Sequence, residues 1–288
     1  MPTFLPIVFC LLTTFWAIAP APLNAQSPWT RNKAGFYAQG AWQHIPTYDA
    51  IFDRKATDGT RSLEREITEN AFQFYGEYGI ARKTTVWVAV PYRVLKSGKI
   101  VTAGGNPIVR EGILTGLGNI TVAVRQNFVA EKWTLSGQLR VDMPNNRYQE
   151  GTGLRTGYDA LSLLTTVSIG RGYGKHYWFG YGGWGGRGGW ENHFVNFGLE
   201  GGVKIGKCWA IAFTDLWENT GSKVYFSPIP NLNTGMFLPN QSYWSFGAKG
   251  IYEFNRFWGA IVTAAGAFQG DLVPQRPALS LGTYFKWD

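Results

Sequence analysis

The chain has 288 residues, a formal net charge of +8, and only 16% charged side chains, below the roughly 25% of ordinary soluble domains. A mean hydropathy of −0.14 excludes a bundle of membrane helices. The 37 glycines, 13 tryptophans and 14 tyrosines suit an all-β chain with tight turns. No zinc-finger, helix-turn-helix or RNP-like motif is present, so nucleic acid is not an expected partner.

The N-terminal stretch carries a predicted secretory signal peptide at residues 1–25. It has no charged side chain, an apolar run FLPIVFCLLTTFWAIA, and small residues before Gln26. The alternative is a transmembrane anchor, for which the apolar run is short. Cys10 would leave with the signal peptide, so Cys208 would stand alone without an internal disulfide. Residues 26–288 are then predicted to form one domain.

The segment KWTLSGQLRVDM, residues 132–143, alternates between two kinds of side chain. Every second residue from Trp133 to Met143 is apolar or small, and the residues between them include Gln138, Arg140 and Asp142. A period of two predicts a strand with one apolar and one polar face. A soluble sheet buries the apolar face inside, whereas a membrane barrel turns it towards lipid.

The same alternation recurs along the chain and predicts about twelve strands, each near the length of a membrane-spanning β-strand. The further predicted strands lie in residues 34–43, 70–80, 85–94, 119–128, 160–170, 176–184, 194–205, 208–217, 242–254, 257–268 and 278–287. The segment 208–217 is apolar on both faces as far as Asp215, so its facing stays open.

The predicted connections are alternately short and long, which favours a bacterial outer-membrane barrel with periplasmic turns and external loops. About twelve strands also enclose more space than side chains can fill, so an apolar face inside would leave the lumen unfilled. The sequence therefore predicts an all-β fold, an antiparallel transmembrane β-barrel of about twelve strands. In the segment 132–143, Trp133, Leu135, Leu139 and Val141 are expected to face lipid.

Charged residues on the polar faces are expected to line the lumen and to tune solute passage, or alternatively to pair across strands and plug the barrel. They are Glu77, Arg93, Arg125, Arg140, Asp142, Asp159, Glu200, Lys204, Lys249 and Glu253. Aromatic residues near strand ends are expected to form lipid-interface girdles, although aromatic residues are also good strand formers. They are Trp42, Tyr78, Tyr92, Trp133, Trp209, Trp217, Trp258 and Trp287.

Three consecutive motifs carry a family resemblance: GLGNITVAVRQNF (116–128), WTLSGQLRVDMPNN (133–146) and GTGLRTGYDALSLLTTVSIG (151–170). In their order, and in the layout of residues 194–222, they resemble the outer-membrane family named for the MetA pathway of phenol degradation. The resemblance implies a transporter-like barrel for aromatic or other hydrophobic compounds. Two features depart from the family pattern: Asn119 replaces an Asp, and MPNN replaces a Pro-Thr-Gly loop.

No motif in the chain predicts a reaction. The glycine-rich run GGWGGRGGW (182–190) lacks the Lys-Ser/Thr of a phosphate loop, and no Gly-X-Ser-X-Gly surrounds a serine. His44, His176 and His193 are expected to be surface or girdle residues. We therefore expect no enzyme, no cofactor and no metal.

The predicted function is passive passage of small solutes, with aromatic or hydrophobic compounds as candidates. A structural or surface-binding barrel is the alternative, and a lipid-acting hydrolase comes third. The expected partners are the lipid bilayer and lipopolysaccharide of the outer membrane and a small-molecule solute.

Overall fold

The computed structural model describes residues 26–101, 107–188, 192–221, 234–238 and 240–287. The predicted signal peptide at residues 1–25 lies outside the described residues. Within the described ranges, no helix is long and apolar enough to cross a membrane.

Twelve wall strands form one closed antiparallel barrel, as the sequence predicts. Each wall strand pairs with its neighbours in the chain, and the first also pairs with the last, so the sheet has no free edge. The wall strands are β1 (Phe36–Phe52), β2 (Thr60–Ala81), β3 (Thr84–Ser97), β6 (Gly112–Leu117) continued by β7 (Ile120–Ala130), β8 (Thr134–Met143), β11 (Ser162–Tyr173), β12 (His176–Arg187), β13 (Asn192–Ile205), β14 (Cys208–Asn219), β15 (Ser242–Glu253), β16 (Trp258–Asp271) and β18 (Ala278–Trp287). The connections contain two short strand pairs, β4 (Ile100–Val101) with β5 (Pro107–Val109) and β9 (Tyr148–Gln149) with β10 (Leu154–Arg155), and a short strand β17 (Val273–Pro274) that pairs with β1.

The alternation of apolar and polar residues along the strands follows from lipid outside the barrel and a polar lumen inside it. On β8, Leu139 is 52% exposed on the outer surface, whereas Gln138 and Asp142 are buried on the inner side. A closed ladder satisfies every backbone group between strands, so apolar side chains can face lipid without exposing polar backbone. Tight turns join the strands at one end, where Gly174 and Gly206 adopt positive φ values of 59° and 62°.

At the opposite end, β1, β2 and β3 extend beyond the barrel and support the long connections. Their buried side chains form an apolar core with residues from three connections and with the first residue of β18. The core members are Ile45, Tyr48, Ile51, Leu63, Ile67, Leu95, Leu154, Met236, Leu238, Leu272 and Ala278. Long connections mark the external end of an outer-membrane barrel.

The wall is interrupted between β6 and β7, opposite a proline in β3. Pro91 has no N–H for the ladder, and Gly118 N donates to Pro91 O at 2.8 Å. Asn119, inside this bulge, points its side chain towards the connection 144–161. A β-carbon on Gly157 would lie only 2.4 Å from Asn119 Oδ1, so glycine permits this close approach. The motif GLGN therefore encodes a bulge that receives a loop.

Two of the aromatic residues predicted for the lipid-interface girdles point into the barrel instead of towards lipid. Trp217 is only 7% exposed inside the barrel, and Trp209 lies against Tyr177 on the inner wall, with ring centroids 5.5 Å apart. The buried Asp215 fixes the register of β14, so the odd-numbered residues 209–217 point inward. The other six are exposed large side chains on the outer surface: Trp42, Tyr78, Tyr92, Trp133, Trp258 and Trp287.

Candidate functional site in the barrel lumen

An N-terminal segment, residues 26–33, precedes β1 and crosses the lumen along the inner wall. Side chains from six wall strands hold it through hydrogen bonds. The pairs are Gln26 with Asn196 of β13 and Ser168 of β11, Pro28 with Ser136 of β8, Trp29 with Arg125 of β7, and Arg31 with Thr85 of β3 and Glu77 of β2.

Glu77 is the main anchor of this segment. Its carboxylate, 8% exposed as a residue, accepts hydrogen bonds from Arg31 Nε at 2.6 Å and from the Tyr75 hydroxyl at 2.6 Å. Arg125 Nη1 lies 3.4 Å from the same carboxylate. A carboxylate shared by two guanidinium groups compensates charges that the wall would otherwise leave buried and unpaired.

An upper cavity of roughly 190 Å³ lies on the external side of the barrel. Five charged side chains of the described residues line it. Arg93 pairs with Glu69, and Arg140 Nε lies 2.8 Å from Asp142 Oδ1. The fifth is Arg187, at the external end of β12.

A cap formed by residues 234–238 and 240–241 covers this cavity. The Arg93 guanidinium lies 4.6 Å from the centre of the Phe237 ring, and that ring packs edge-on against Tyr158 at 5.5 Å. Phe237 adopts a φ of 54°, which side chains rarely take, so its packing holds a strained backbone in place. Gln241 Nε2 donates to Gly235 O at 2.6 Å and to Leu272 O at 2.7 Å, tying the cap to the rim of the barrel.

A lower cavity of roughly 390 Å³ lies beside the N-terminal segment. Its lining includes Glu200, whose Oε2 lies 3.2 Å from Lys249 Nζ, and the buried Asp215. Asp215 Oδ1 accepts hydrogen bonds from the Tyr181 hydroxyl at 2.7 Å and from Asn196 Nδ2 at 2.6 Å. The two cavities share three polar lining residues, Gln39, Gln43 and Tyr75.

Nine of the ten charged residues expected in the lumen lie on the wall strands and form ion pairs. Lys204 and Glu253 pair with each other near the periplasmic turns, and the other seven belong to the networks above. Asp159 departs from this arrangement, because it lies in the connection before β11 with its side chain 70% exposed.

Several lumen residues were not singled out from the sequence. The most important are Arg31, Glu69, Tyr158, Arg187 and Asp215. Glu69 could have been found by continuing the polar face of β2, and Asp215 is the one charged residue of the segment 208–217. Arg187 is the only charged residue of the run GGWGGRGGW. This lone charge is the one feature of the sequence that could have indicated a role for Arg187.

The three histidines each contact an aromatic residue near a strand end: His44 stacks on Trp42, His193 stacks on Trp184, and His176 lies tilted against Tyr173. Across the described ranges, no group of three or more His, Cys, Asp or Glu side chains is placed to hold a metal ion.

The fold is similar to that of the COG4313 outer membrane channel from Pseudomonas putida F1. The TM-score is 0.67 at 12% sequence identity, covering 92% of this chain and 100% of that one. Weaker likenesses, with TM-scores below 0.5, are to the translocator domain of the autotransporter NalP from Neisseria meningitidis (TM-score 0.49, 10% identity, 89% of this chain and 90% of that one) and to the CymD monoaromatic hydrocarbon channel (TM-score 0.45, 7% identity, 88% of this chain and 89% of that one). No protein-family model and no curated protein matches the sequence.

At this identity the likeness shows the fold alone, and the resemblance to the phenol-degradation family stays a prediction. The exposed apolar side chains on the outer surface of the wall form an apolar belt that needs lipid around it. A closed barrel is the β-structure that can span a bilayer. The belt and the outer-membrane barrel fold place the chain in the bacterial outer membrane.

Proposed function

We propose that the barrel passes small solutes across the outer membrane by passive diffusion through its lumen. The observation that carries the proposal is the arrangement of the two cavities in series, joined by Gln39, Gln43 and Tyr75. Amide and hydroxyl groups at this junction can replace hydrogen bonds that a solute loses with water. The aromatic side chains of both cavities make aromatic solutes candidates among these small molecules.

The two ends of this route carry separate closures. The cap with Phe237 covers the external end, and the N-terminal segment crosses the lumen nearer the periplasmic turns. Neither belongs to a wall strand, so either can move while the closed ladder stays intact. Solute passage requires displacement of these segments, and the ladder keeps its shape throughout.

A structural barrel with a plugged lumen is the second candidate. The observation in its favour is the number of wall strands, six, that hold the N-terminal segment. In a plugged barrel these bonds would be permanent and no solute would pass.

Blocking the junction with a thiol reagent separates these two candidates. Gln39 and Gly40 are neighbours in β1, but Gln39 lines both cavities while Gly40 is exposed on the outer surface. Each would be replaced by Cys after the exposed Cys208 is changed to Ser. We expect a charged methanethiosulfonate reagent to reduce the planar-bilayer current of Gln39→Cys and to leave that of Gly40→Cys unchanged. Equal responses, or folded protein without current, would overturn the proposal.

A further inference from the structure

Arg187 is a buried cation that forms no ion pair with a carboxylate in the described part of the chain. The residue is 5% exposed and lines the upper cavity. Its Nε donates to Ser162 Oγ at 2.8 Å, and its Cζ lies 3.4 Å from the centre of the Tyr158 ring. Among the described residues, no carboxylate lies within ion-pair distance of its guanidinium. The other two arginines of the cavity each have one, Glu69 for Arg93 and Asp142 for Arg140.

This imbalance gives the upper cavity an excess positive charge. Of the described residues, three arginines and two carboxylates line it, which gives these side chains a net charge of +1. A buried charge without a partner destabilises the fold, and such a residue inside a membrane protein most often serves a ligand or an ion. A stacked Tyr ring offsets only part of this cost. The cavity is therefore complementary to one negative charge.

The shape and chemistry of the lining narrow the ligand further. Next to Arg187, the cavity is walled by Tyr158, Trp217 and Tyr243. Trp217 stacks on Phe194 at 4.3 Å, so its ring is held in a fixed orientation. Flat aromatic walls favour a flat apolar ring, and a planar guanidinium fork matches a carboxylate.

We propose that the upper cavity binds a small aromatic carboxylate, with its carboxylate on the Arg187 guanidinium and its ring against Trp217 and Tyr243. This inference rests on the proposed function, since it names the solute class of the same lumen. The lower cavity has no such excess, because Arg31, Lys249 and the Arg125 that pairs with Glu77 match the three carboxylates Glu77, Glu200 and Asp215. An aromatic anion would therefore reside in the upper cavity and would not accumulate in the lower one.

The test is calorimetric titration of the refolded full chain in detergent with benzoate, benzyl alcohol and cyclohexanecarboxylate. Arg187→Gln removes the charge, Arg187→Lys keeps it without the fork, and Arg256→Gln in the exposed turn after β15 is the matched control. We expect wild type and Arg256→Gln to bind benzoate equally, and Arg187→Gln to bind it at least about tenfold more weakly. Arg187→Lys should fall between them. Benzyl alcohol and cyclohexanecarboxylate should bind wild type more weakly than benzoate.

Three results would overturn the site: no benzoate binding by wild type, the same benzoate affinity in Arg187→Gln, or equal binding of benzyl alcohol. Heat-modifiable gel migration shows whether each variant is folded, and Arg187→Lys provides the test if Arg187→Gln does not fold. Bilayer currents of the same samples separate the two proposals. Current without selective benzoate binding rejects the site and keeps the channel, whereas benzoate binding without current rejects the channel alone.

Discussion

The side-chain amide of Asn119 pairs with the backbone of Tyr158 much as a neighbouring strand would. Asn119 Oδ1 accepts a hydrogen bond from Tyr158 N at 2.6 Å, and Nδ2 donates to Tyr158 O at 2.7 Å. The same Nδ2 donates to Met143 O at 2.8 Å. A carboxylate could make only the accepting bond. The amide therefore fastens the connection 144–161 to the bulge and sets Tyr158 beneath Arg187.

Asn119→Asp should loosen this connection, because two donated hydrogen bonds are lost and an oxygen is placed against two carbonyl groups. We expect a loss of about 1–3 kcal/mol in the free energy of unfolding by urea, together with faster proteolysis within 144–161. Asn145→Asp is the control, since Asn145 is exposed in the same connection. Equal stability of the two variants would show that Asn119 does not hold the loop.

Trp217→Ala should destabilise the barrel far more than Trp258→Ala. Trp217 is buried against Phe194 and Leu164 inside the barrel, so its removal leaves a cavity and costs about 3–5 kcal/mol. Trp258 is 46% exposed on the outer surface, where lipid can fill the space of a lost side chain. Urea unfolding in lipid vesicles measures both. A larger loss for Trp258→Ala would contradict the inward facing of β14.

Glu77→Gln should destabilise the barrel, because Arg31 and Arg125 would lose their shared buried carboxylate. Removing one partner of a buried ion pair costs about 3–5 kcal/mol. Glu66→Gln on the same strand is the control, since Glu66 is exposed. If urea unfolding gave the same stability for both variants, the network around Glu77 would not hold the N-terminal segment.

The facing of most strands could be predicted from the sequence, because lipid outside and water inside impose a period of two. β8 shows this in the contrast between Leu139 and its neighbours Gln138 and Arg140. β14 could not be oriented this way, since it is apolar on both faces up to Asp215. Its inward residues include Trp209 and Trp217, which pack against the inner-wall aromatics Tyr177 and Phe194, so the inner face of β14 is largely apolar.

The closures of the lumen could not be predicted for a different reason. The N-terminal segment has no period, and its position depends on contacts with residues as far away as Asn196. The cap around Phe237 likewise depends on Arg93 and Tyr158, which lie far from it in sequence. The prediction for Asp159 is wrong because the strand begins later than the sequence pattern indicates. The predicted strand starts at residue 160, next to Asp159, whereas β11 begins at Ser162 and leaves Asp159 in the connection.

The most direct measurement is the single-channel conductance of Gly79→Ala beside that of the wild type. The segment leaves the lumen at Gly79, where a β-carbon would lie 1.9 Å from the carbonyl oxygen of Asn32. The substitution should therefore displace the segment. Gly40→Ala is the control, because a β-carbon there meets nothing within 4 Å. We predict a larger conductance for folded Gly79→Ala than for wild type and Gly40→Ala. Equal conductance in all three, or no current in any of them, would contradict a solute route that the N-terminal segment closes.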